Sequence, residues 1–469
     1  MTGRCRSKPL AIASVLTALM LVVLDASIVN VALPTLAADL HVSPASAVLI
    51  VTAYQAGLVM ALLPCGALGE SLGHRRIFMI GVALFTVASA LCAMAPNLTW
   101  LVAARFVQGL GAAAVMSLGV ALLRTVVPAH RLGAAIGWNA LVVALTSAAG
   151  PTVGALVLSL ASWPWLFAIN LPLGLMVLGA ASALPRATGS SRRLDGISVA
   201  LNMSGFGLLI LGAETLARAP AISLVAVTGG AIVLTLLARR EALQDAPILP
   251  LDLLRGSSFR HSVTASVCCF VGQGAGLVAL PFYLQHGLGL SPLEAGLYIT
   301  PWPLMAAVSA TLAGRLAKPS STALLCAAGC ALLSAGLFAA STWPLTEAPV
   351  MIMPIVMLCG LGFGLFQVTN NRNMFLSAPI DRSGAAGGLQ SMARLTGQTT
   401  GVVVMTLLFG VLPLDNAPRV GLAIGALLTL TAGLLSTFHR PEPSPQEFGL
   451  GRPGRLKASA DPTPFSSKD

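Results

Sequence analysis

Two ionisable side chains stand where ionisable side chains are expensive. Asp25 interrupts the apolar run over residues 10–33, and no other of the chain's 16 carboxylates falls well inside such a run. Arg105 stands just inside the run over residues 100–123. At about 1.5 Å of helical rise per residue, Asp25 lies ~12 Å before Leu33 and Arg105 roughly 8–10 Å after Trp100. The two can therefore share a depth. Placing a charge inside hydrocarbon costs at least ~2.5–3.5 kcal/mol, which makes such residues functional candidates. Burial disfavours the carboxylate and a neighbouring arginine favours it, a balance suited to loading and releasing a proton. The plainer alternative is a static structural ion pair. Arg394, inside the run over residues 384–413, is suited to an anionic substrate group or to Asp25 in one conformation. It is equally suited to bonding backbone carbonyls and snorkelling to the interface. Five amides within apolar runs, Gln55, Gln108, Asn139, Gln273 and Asn370, and Asn371 just past the end of one, are candidates to line a polar cavity. Each alone also serves as glue between helices.

The elements that carry these residues are transmembrane helices. Hydrophobic residues make up 56% of the chain and charged residues 9%, where an ordinary soluble domain has about 25% charged. The apolar runs are about 20 residues long, the length a helix needs to cross a bilayer. Alternating segments of ~10 residues, the mark of a β-barrel, are not what the runs resemble. Fourteen spans are predicted, at 10–33, 47–68, 77–95, 100–123, 133–159, 165–184, 196–216, 221–238, 261–285, 295–317, 321–341, 349–370, 384–413 and 419–438. The tail from 439 to 469 is rich in Pro, Gly and Ser and is expected to be disordered.

A net charge of +11 would point to nucleic acid in a soluble protein. Here the 27 basic residues are scattered between spans, so they orient the chain, and no nucleic-acid partner is expected. With the N-terminus inside, all but four of them fall on the cytoplasmic side. Arg218 and Arg419 fall outside, and Arg105 and Arg394 lie within spans. Both termini are therefore expected in the cytoplasm. The eight cysteines and six histidines show no metal or disulfide spacing. Arg4, Arg6 and Lys8 before the first run imitate a signal peptide, but the run is long, contains Asp25 and is followed by many more, so it reads as an uncleaved first helix.

An internal repeat organises the spans. Pro128, Arg131, Gly133, Ala134, Ala135 and Gly137 recur as Pro379, Arg382, Gly384, Ala385, Ala386 and Gly388, and the same offset carries Gly150 onto Gly401. A second offset carries Thr52, Gly66 and Leu68 onto Thr300, Gly314 and Leu316. Both copies of the longer motif precede an outward-running helix, so the halves repeat in parallel. The predicted organisation is an N-terminal arm at 1–9, a six-helix half at 10–184, a linker with two further helices at 185–260, and a second six-helix half at 261–438 before the tail. Parallel halves around a central site describe a secondary transporter of the major facilitator type, an all-α membrane fold.

The motifs narrow this. Leu24-Asp25-Ala26-Ser27-Ile28-Val29-Asn30-Val31-Ala32-Leu33-Pro34 resembles the first-helix motif of the fourteen-span drug:proton antiporters. Arg105-Phe106-Val107-Gln108-Gly109-Leu110-Gly111 resembles their fourth-helix arginine motif, which implies a role in proton transfer. Gly66-Ala67-Leu68-Gly69-Glu70-Ser71-Leu72-Gly73-His74-Arg75-Arg76 is similar to the facilitator loop motif, implying a conformational gate at Gly66, Gly69, Glu70, Gly73, Arg75 and Arg76. Trp163-Pro164-Trp165-Leu166-Phe167-Ala168-Ile169-Asn170-Leu171-Pro172 and Ser291-Pro292-Leu293-Glu294-Ala295-Gly296-Leu297 also resemble stretches typical of the group. The chain departs from the pattern in places. Glu70 stands where Asp is usual, and Lys318 occupies the matching place in the second half. The fifth-helix antiporter motif survives only as Thr146, Gly150, Pro151 and Gly154 followed by Ala155, although small residues four apart still give a smooth packing face.

The resemblance implies a proton-coupled antiporter that exports amphiphilic compounds by alternating access across a bacterial inner membrane. Its partners are the small-molecule substrate, protons and the lipid bilayer. No cofactor is implied besides the coupling proton, and a periplasmic adaptor is not visible in the sequence. A facilitator-type carrier of one metabolite, with Arg394 reading an anionic group, is the alternative. A membrane-embedded enzyme is the remote one. One acid against two arginines within the spans further predicts poor acceptance of dications.

Overall fold

The computed structural model describes residues 3–185, 195–216, 219–242, 251–316, 322–344, 349–378 and 382–437. Long apolar segments become helices because backbone groups out of reach of water must bond within their own segment. The first half is built of α1 (Gly3–Asp39), α2 (Pro44–Leu72), α3 (His74–Ala93), α4 (Leu98–Val126), α5 (Ala129–Leu160), and the short α6 (Trp165–Ala168) followed by α7 (Asn170–Ala180). The inserted pair is α8 (Gly196–Thr215) and α9 (Pro220–Glu241). The second half comprises α10 (Ser257–Phe282), α11 (Pro292–Ile299), α12 (Pro301–Leu316), α13 (Thr322–Thr342), α14 (Ile352–Leu376), α15 (Ser383–Val411) and α16 (Ala417–Thr437). Lys318, Arg218, Pro379 and the tail from 438 onward lie outside the described residues, as do the side chains of Arg131 and Arg315.

Polar side chains punctuate the helix starts. Ser43 and Asn97 accept hydrogen bonds from Ser46 N and Trp100 N at the heads of α2 and α4, and Asp195 accepts one from Ile197 N at the head of α8. Ser291 and Glu294 form a capping box ahead of α11. Gly73, at φ 99, turns the chain between α2 and α3 in a conformation that other residues rarely adopt.

Among the described residues, twelve helices are long and apolar enough to cross a membrane on their own. The other two expected spans take different forms. One is the broken pair α11 and α12, interrupted at Thr300–Pro301, and the other is α15, diluted by Gln390, Arg394 and Gln398. Two expected boundaries also shift. The helix starts at Gly3, inside the expected N-terminal arm, and α1 continues through Pro34 to Asp39. Asp25 therefore sits near the helix midpoint. Large apolar side chains such as Leu211, Leu224, Val225, Leu324 and Leu427 are exposed on the outside, as a lipid-facing surface requires.

The repeat is a structural one. A Cβ on Gly111 of α4 would strike the backbone of α3 at Phe85 and Gly81, and Gly362 of α14 is pressed in the same way against Leu333 and Gly329 of α13. Gly109 lies on the Tyr54 carbonyl as Gly360 lies on the Trp302 carbonyl, and Gly150 against Ser27 has its counterpart in Gly401 against Ala275. These pairs obey the two offsets read from the sequence.

We call the face at which α1 begins the near face, and the opposite one the far face. The halves meet where α1 packs on α10 and α11, α5 on α11 and α12, and α2 on α15. Toward the far face a single hydrophobic cluster joins Leu24, Ile28, Val31 and Leu36 of α1 to Phe270, Val278, Phe282 and Leu284 of the second half. Gln285 also donates to the Val31 carbonyl at 3.0 Å. Toward the near face there are two clusters. One is centred on Val15, Phe78, Phe85 and Leu122 of the first half and reaches Met392 and Leu395 of α15, while the other holds Leu253, Phe259, Met374 and Leu389. Toward the far face the halves are thus joined through one shared cluster, and toward the near face through α15 against the first half.

Gly111→Ala should lower the thermal midpoint of the detergent-purified protein, because overpacking against backbone costs about 1–3 kcal/mol. Gly179→Ala, where an added Cβ meets nothing within 4 Å, should leave the midpoint unchanged. Equal midpoints for the two variants in a size-exclusion melting assay would refute the close approach of α3 and α4.

Candidate functional site

Asp25 and Arg105 meet in the interior of the first half. Arg105 Nη1 donates to Asp25 Oδ2 at 2.5 Å, and the two side chains are 1% and 0% exposed. Gln108 Nε2 donates to Asp25 Oδ1 at 2.9 Å and Asn170 Nδ2 donates to the same oxygen at 2.7 Å. Arg105 and Gln108 lie three residues apart on one face of α4, so a single helix supplies two of the donors. Asn170 opens α7, immediately after the break that separates α6 from α7. Ser89 of α3 accepts from Gln108 at 2.8 Å and from Asn170 at 3.5 Å. Arg105 Nε donates to the Ile50 carbonyl of α2 at 3.3 Å, and its guanidinium lies 4.2 Å from the centroid of the Tyr54 ring.

Close helix approach makes this geometry reachable. Gly57 and Gly109 let α2 and α4 touch backbone to backbone, and Gly81 with Gly111 does the same for α3 and α4. The carboxylate thus has one charged and two neutral donors, and the cation has a counter-ion, an amide oxygen, a carbonyl and an aromatic face. A buried charge needs partners of this kind to persist away from water.

The expected site residues do not all share one place. Gln108 was expected to line a cavity, but it is fully buried and belongs to the Asp25 network. Asn370 was expected there too; it is 1% exposed and donates to the Ser262 carbonyl and Ser266 Oγ, tying α14 to α10. Both corrections have one cause, since an amide in an apolar interior finds a neighbouring helix before it finds water. Gln273 accepts from Gln398 at 2.9 Å within the second half. Gln55, Asn139, Asn371 and Arg394 remain partly exposed, and buried oxygens of Gln55 and Asn139 have no partner among the described residues. Arg394 does not pair with Asp25 in this conformation. In the loop motif Gly69 packs under Leu118, Gly66 faces open space, and Glu70 and Arg76 are exposed.

The fifth-helix motif connects the network to the seam between the halves. A Cβ on Gly150 would strike Ser27 of α1, and one on Gly154 would press on Ile28, within a turn of Asp25. Gly296 of α11 is pressed from the second half onto the Pro151 carbonyl and Ala155. Thr152 and Thr300 share a hydrogen bond of 2.6 Å beside that contact.

A sequence model of the Major Facilitator Superfamily matches residues 15–401, most of the chain and both of its halves. The chain belongs to the Major Facilitator Superfamily. It is a membrane transporter rather than an enzyme. Curated relatives agree in class. It is 42% identical over 441 residues to the uncharacterized transporter YebQ of Escherichia coli strain K12, covering 92% of this chain and 96% of that one. It is 29% identical over 386 residues to the riboflavin transporter RibZ of Clostridioides difficile, with 79% and 81% covered. It is 30% identical over 426 residues to the tetracenomycin C resistance and export protein of Streptomyces glaucescens, with 87% and 79% covered.

Reading of the sequence missed Asn170, Ser89 and Tyr54 as members of the network. Asn170 carried a signal, as an amide inside the Trp163–Pro172 stretch already set apart by its resemblance. Ser89 and Tyr54 carried none, because nothing in a single helix tells which face meets α4.

Arg105→Gln should destabilise the transporter by on the order of 3 kcal/mol, since it strands a buried carboxylate. Adding Asp25→Asn should recover most of that loss, because the stranded charge is then gone. Strictly additive losses in a double-mutant cycle of thermal unfolding would show that the pair is not energetically coupled.

Proposed function

We propose that this transporter is a proton-coupled antiporter that exports amphiphilic compounds, with Asp25 as the proton carrier and the near face in the cytoplasm of a bacterial cell. The observation that carries this reading is the sealed Asp25 network one helical turn from the seam. Protonating Asp25 removes the charge that holds Arg105. Arg105 also grips α2 through Ile50 and Tyr54, and α2 is the first-half helix that packs on α15. On the other side, α5 grips α1 just beyond Asp25 and bears Gly296 of the second half on its back. A change in charge at Asp25 thus has two mechanical routes to contacts between the halves, one through α2 on α15 and one through α5 on α11.

The proton cycle follows from this arrangement. Proton entry from the outside breaks the ion pair, and proton loss to the cytoplasm remakes it, so that each pass exchanges a proton for outgoing substrate. The basic residues concentrated on near-side loops support this orientation. The export named for the Streptomyces glaucescens relative supports the direction. The riboflavin transporter among the relatives favours a second reading, a carrier of one metabolite. Competition among several structurally unrelated amphiphiles separates the two readings, because a single-metabolite carrier will be inhibited by only one kind.

Asp25→Asn should abolish uphill, gradient-driven export from inverted vesicles while substrate binding to the purified protein persists. Undiminished uphill transport by this variant would sink the coupling assignment.

The loop motif generates a second expectation. A carboxylate at residue 70 that meets the positive end of a second-half helix when the near face closes is worth about 0.3–2 kcal/mol, enough to bias a balanced equilibrium several-fold. Glu70→Asp should keep normal turnover, and Glu70→Gln should slow it by that factor. Identical crosslinking across the near face in Glu70→Gln and the parent would remove the gate assignment.

A further inference from the structure

Arg394 is partly buried near the middle of α15, and among the described residues no hydrogen bond or ion pair reaches it. Several of its neighbours on the helix are engaged. Met392 and Leu395 pack with the first-half cluster, and Leu389 with the second-half cluster. Gly397 is pressed onto the Val267 carbonyl and Phe270 of α10. Gln398, one turn on and on the same flank as Arg394, donates to Gln273 of α10. By the repeat offset, Gln273 is the second-half counterpart of Asp25. Arg394 therefore stands at the seam, about 6 Å nearer the near face than that level.

The first half presents the matching wall. Gly388 of α15 faces Leu63 of α2, with 3.8 Å from an added Cβ to the leucine methyl. Six residues further along the antiparallel pair, about 9 Å, Arg394 comes level with the turn of α2 that holds Gln55 and Gly57. The side-chain oxygen of Gln55 is buried without a partner, as is that of Asn139 on α5. The seam thus holds one guanidinium with no counter-ion and amides with unused hydrogen-bonding capacity, which can present either N–H or C=O. Asp25 is no help to this charge, because Arg105 already neutralises it.

We propose that Arg394 is the anion-reading group of the transport site, and that the preferred substrates are amphiphiles carrying a single carboxylate. This rests on the reading of the chain as a transporter whose substrate binds between the halves. A planar guanidinium takes a carboxylate through two parallel N–H bonds. The bound pair is neutral, so the loaded seam no longer carries an uncompensated charge through the membrane interior. A cationic amphiphile meets the opposite situation, since it must approach an unscreened positive charge in a medium of low dielectric.

A matched set of fluorescent probes tests this: dansylglycine, an anion, dansylglycinamide, its neutral analogue, and dansylcadaverine, a cation. Binding is read by fluorescence anisotropy on the full-length transporter in nanodiscs, with no proton gradient. The parent should bind dansylglycine more tightly than the other two. Arg394→Gln should weaken dansylglycine about tenfold or more and change dansylglycinamide by less than about twofold. Arg394→Lys, which keeps the charge but not the fork, should fall between parent and Gln, and it serves as the test if the Gln variant does not purify as a single species. Absence of dansylglycine binding by the parent, or equal weakening of all three probes, overturns the proposal. No step of this measurement uses proton coupling. A failure here therefore leaves the role of Asp25 standing, and an active Asp25→Asn variant leaves the role of Arg394 standing.

Discussion

A carboxylate that is 0% exposed in the middle of a membrane helix constrains everything around it. It cannot be solvated, so protein must supply its hydrogen bonds, and the donors must come from other helices because its own backbone is committed to the α-helical ladder. Arg105 and Gln108 reach it only because α4 lies against α2 and α3 with glycine at the crossings. Asn170 reaches it only because the helix after α5 is broken between α6 and α7. The first half is assembled around one charge. Its glycines and its helix break are positions at which a bulkier residue or a continuous helix would pull a donor away.

The second half repeats the scaffold without the charge. Its counterparts of Asp25, Tyr54, Arg105 and Gln108 are Gln273, Trp302, Val356 and Cys359, while the glycine crossings that support them are retained at Gly329, Gly360 and Gly362. The close packing is therefore general to the fold, and the ionic network is particular to one half. Asymmetry of this kind divides labour between the halves. One half holds the buried ion pair, and the half without one offers Arg394, Gln273 and Gln398 along the seam.

Much of this architecture was legible in the sequence, because the signals that carry it are long. Apolar runs marked the helices, and two offsets marked the parallel halves before any coordinate showed Gly81 against Gly111 and Gly329 against Gly362. The end of the first helix was less legible, since the apolar run stops at residue 33 whereas α1 carries on through Pro34 to Asp39. The amides were the least legible. Gln108, Asn370, Gln55 and Asn139 look alike in sequence, yet two are locked between helices and two retain unpaired oxygens at or near the seam. What separates them is the rotation of each helix about its axis. In a helix that is apolar nearly all round, no hydrophobic face reports that rotation.

The contacts between the halves differ in kind from the contacts around Asp25. Toward the far face the halves are joined by apolar contacts and by single neutral hydrogen bonds, Gln285 to the Val31 carbonyl and Thr152 to Thr300. A neutral hydrogen bond contributes about 0.5–1.5 kcal/mol net, and neither of these is backed by a charge. The ion pair lies inside the first half, where Asp25 of α1 and Arg105 of α4, bonded also to α2, tie three helices together. On the proposed reading of Asp25 as a proton carrier, a change of charge there acts on the helices that carry these seam contacts.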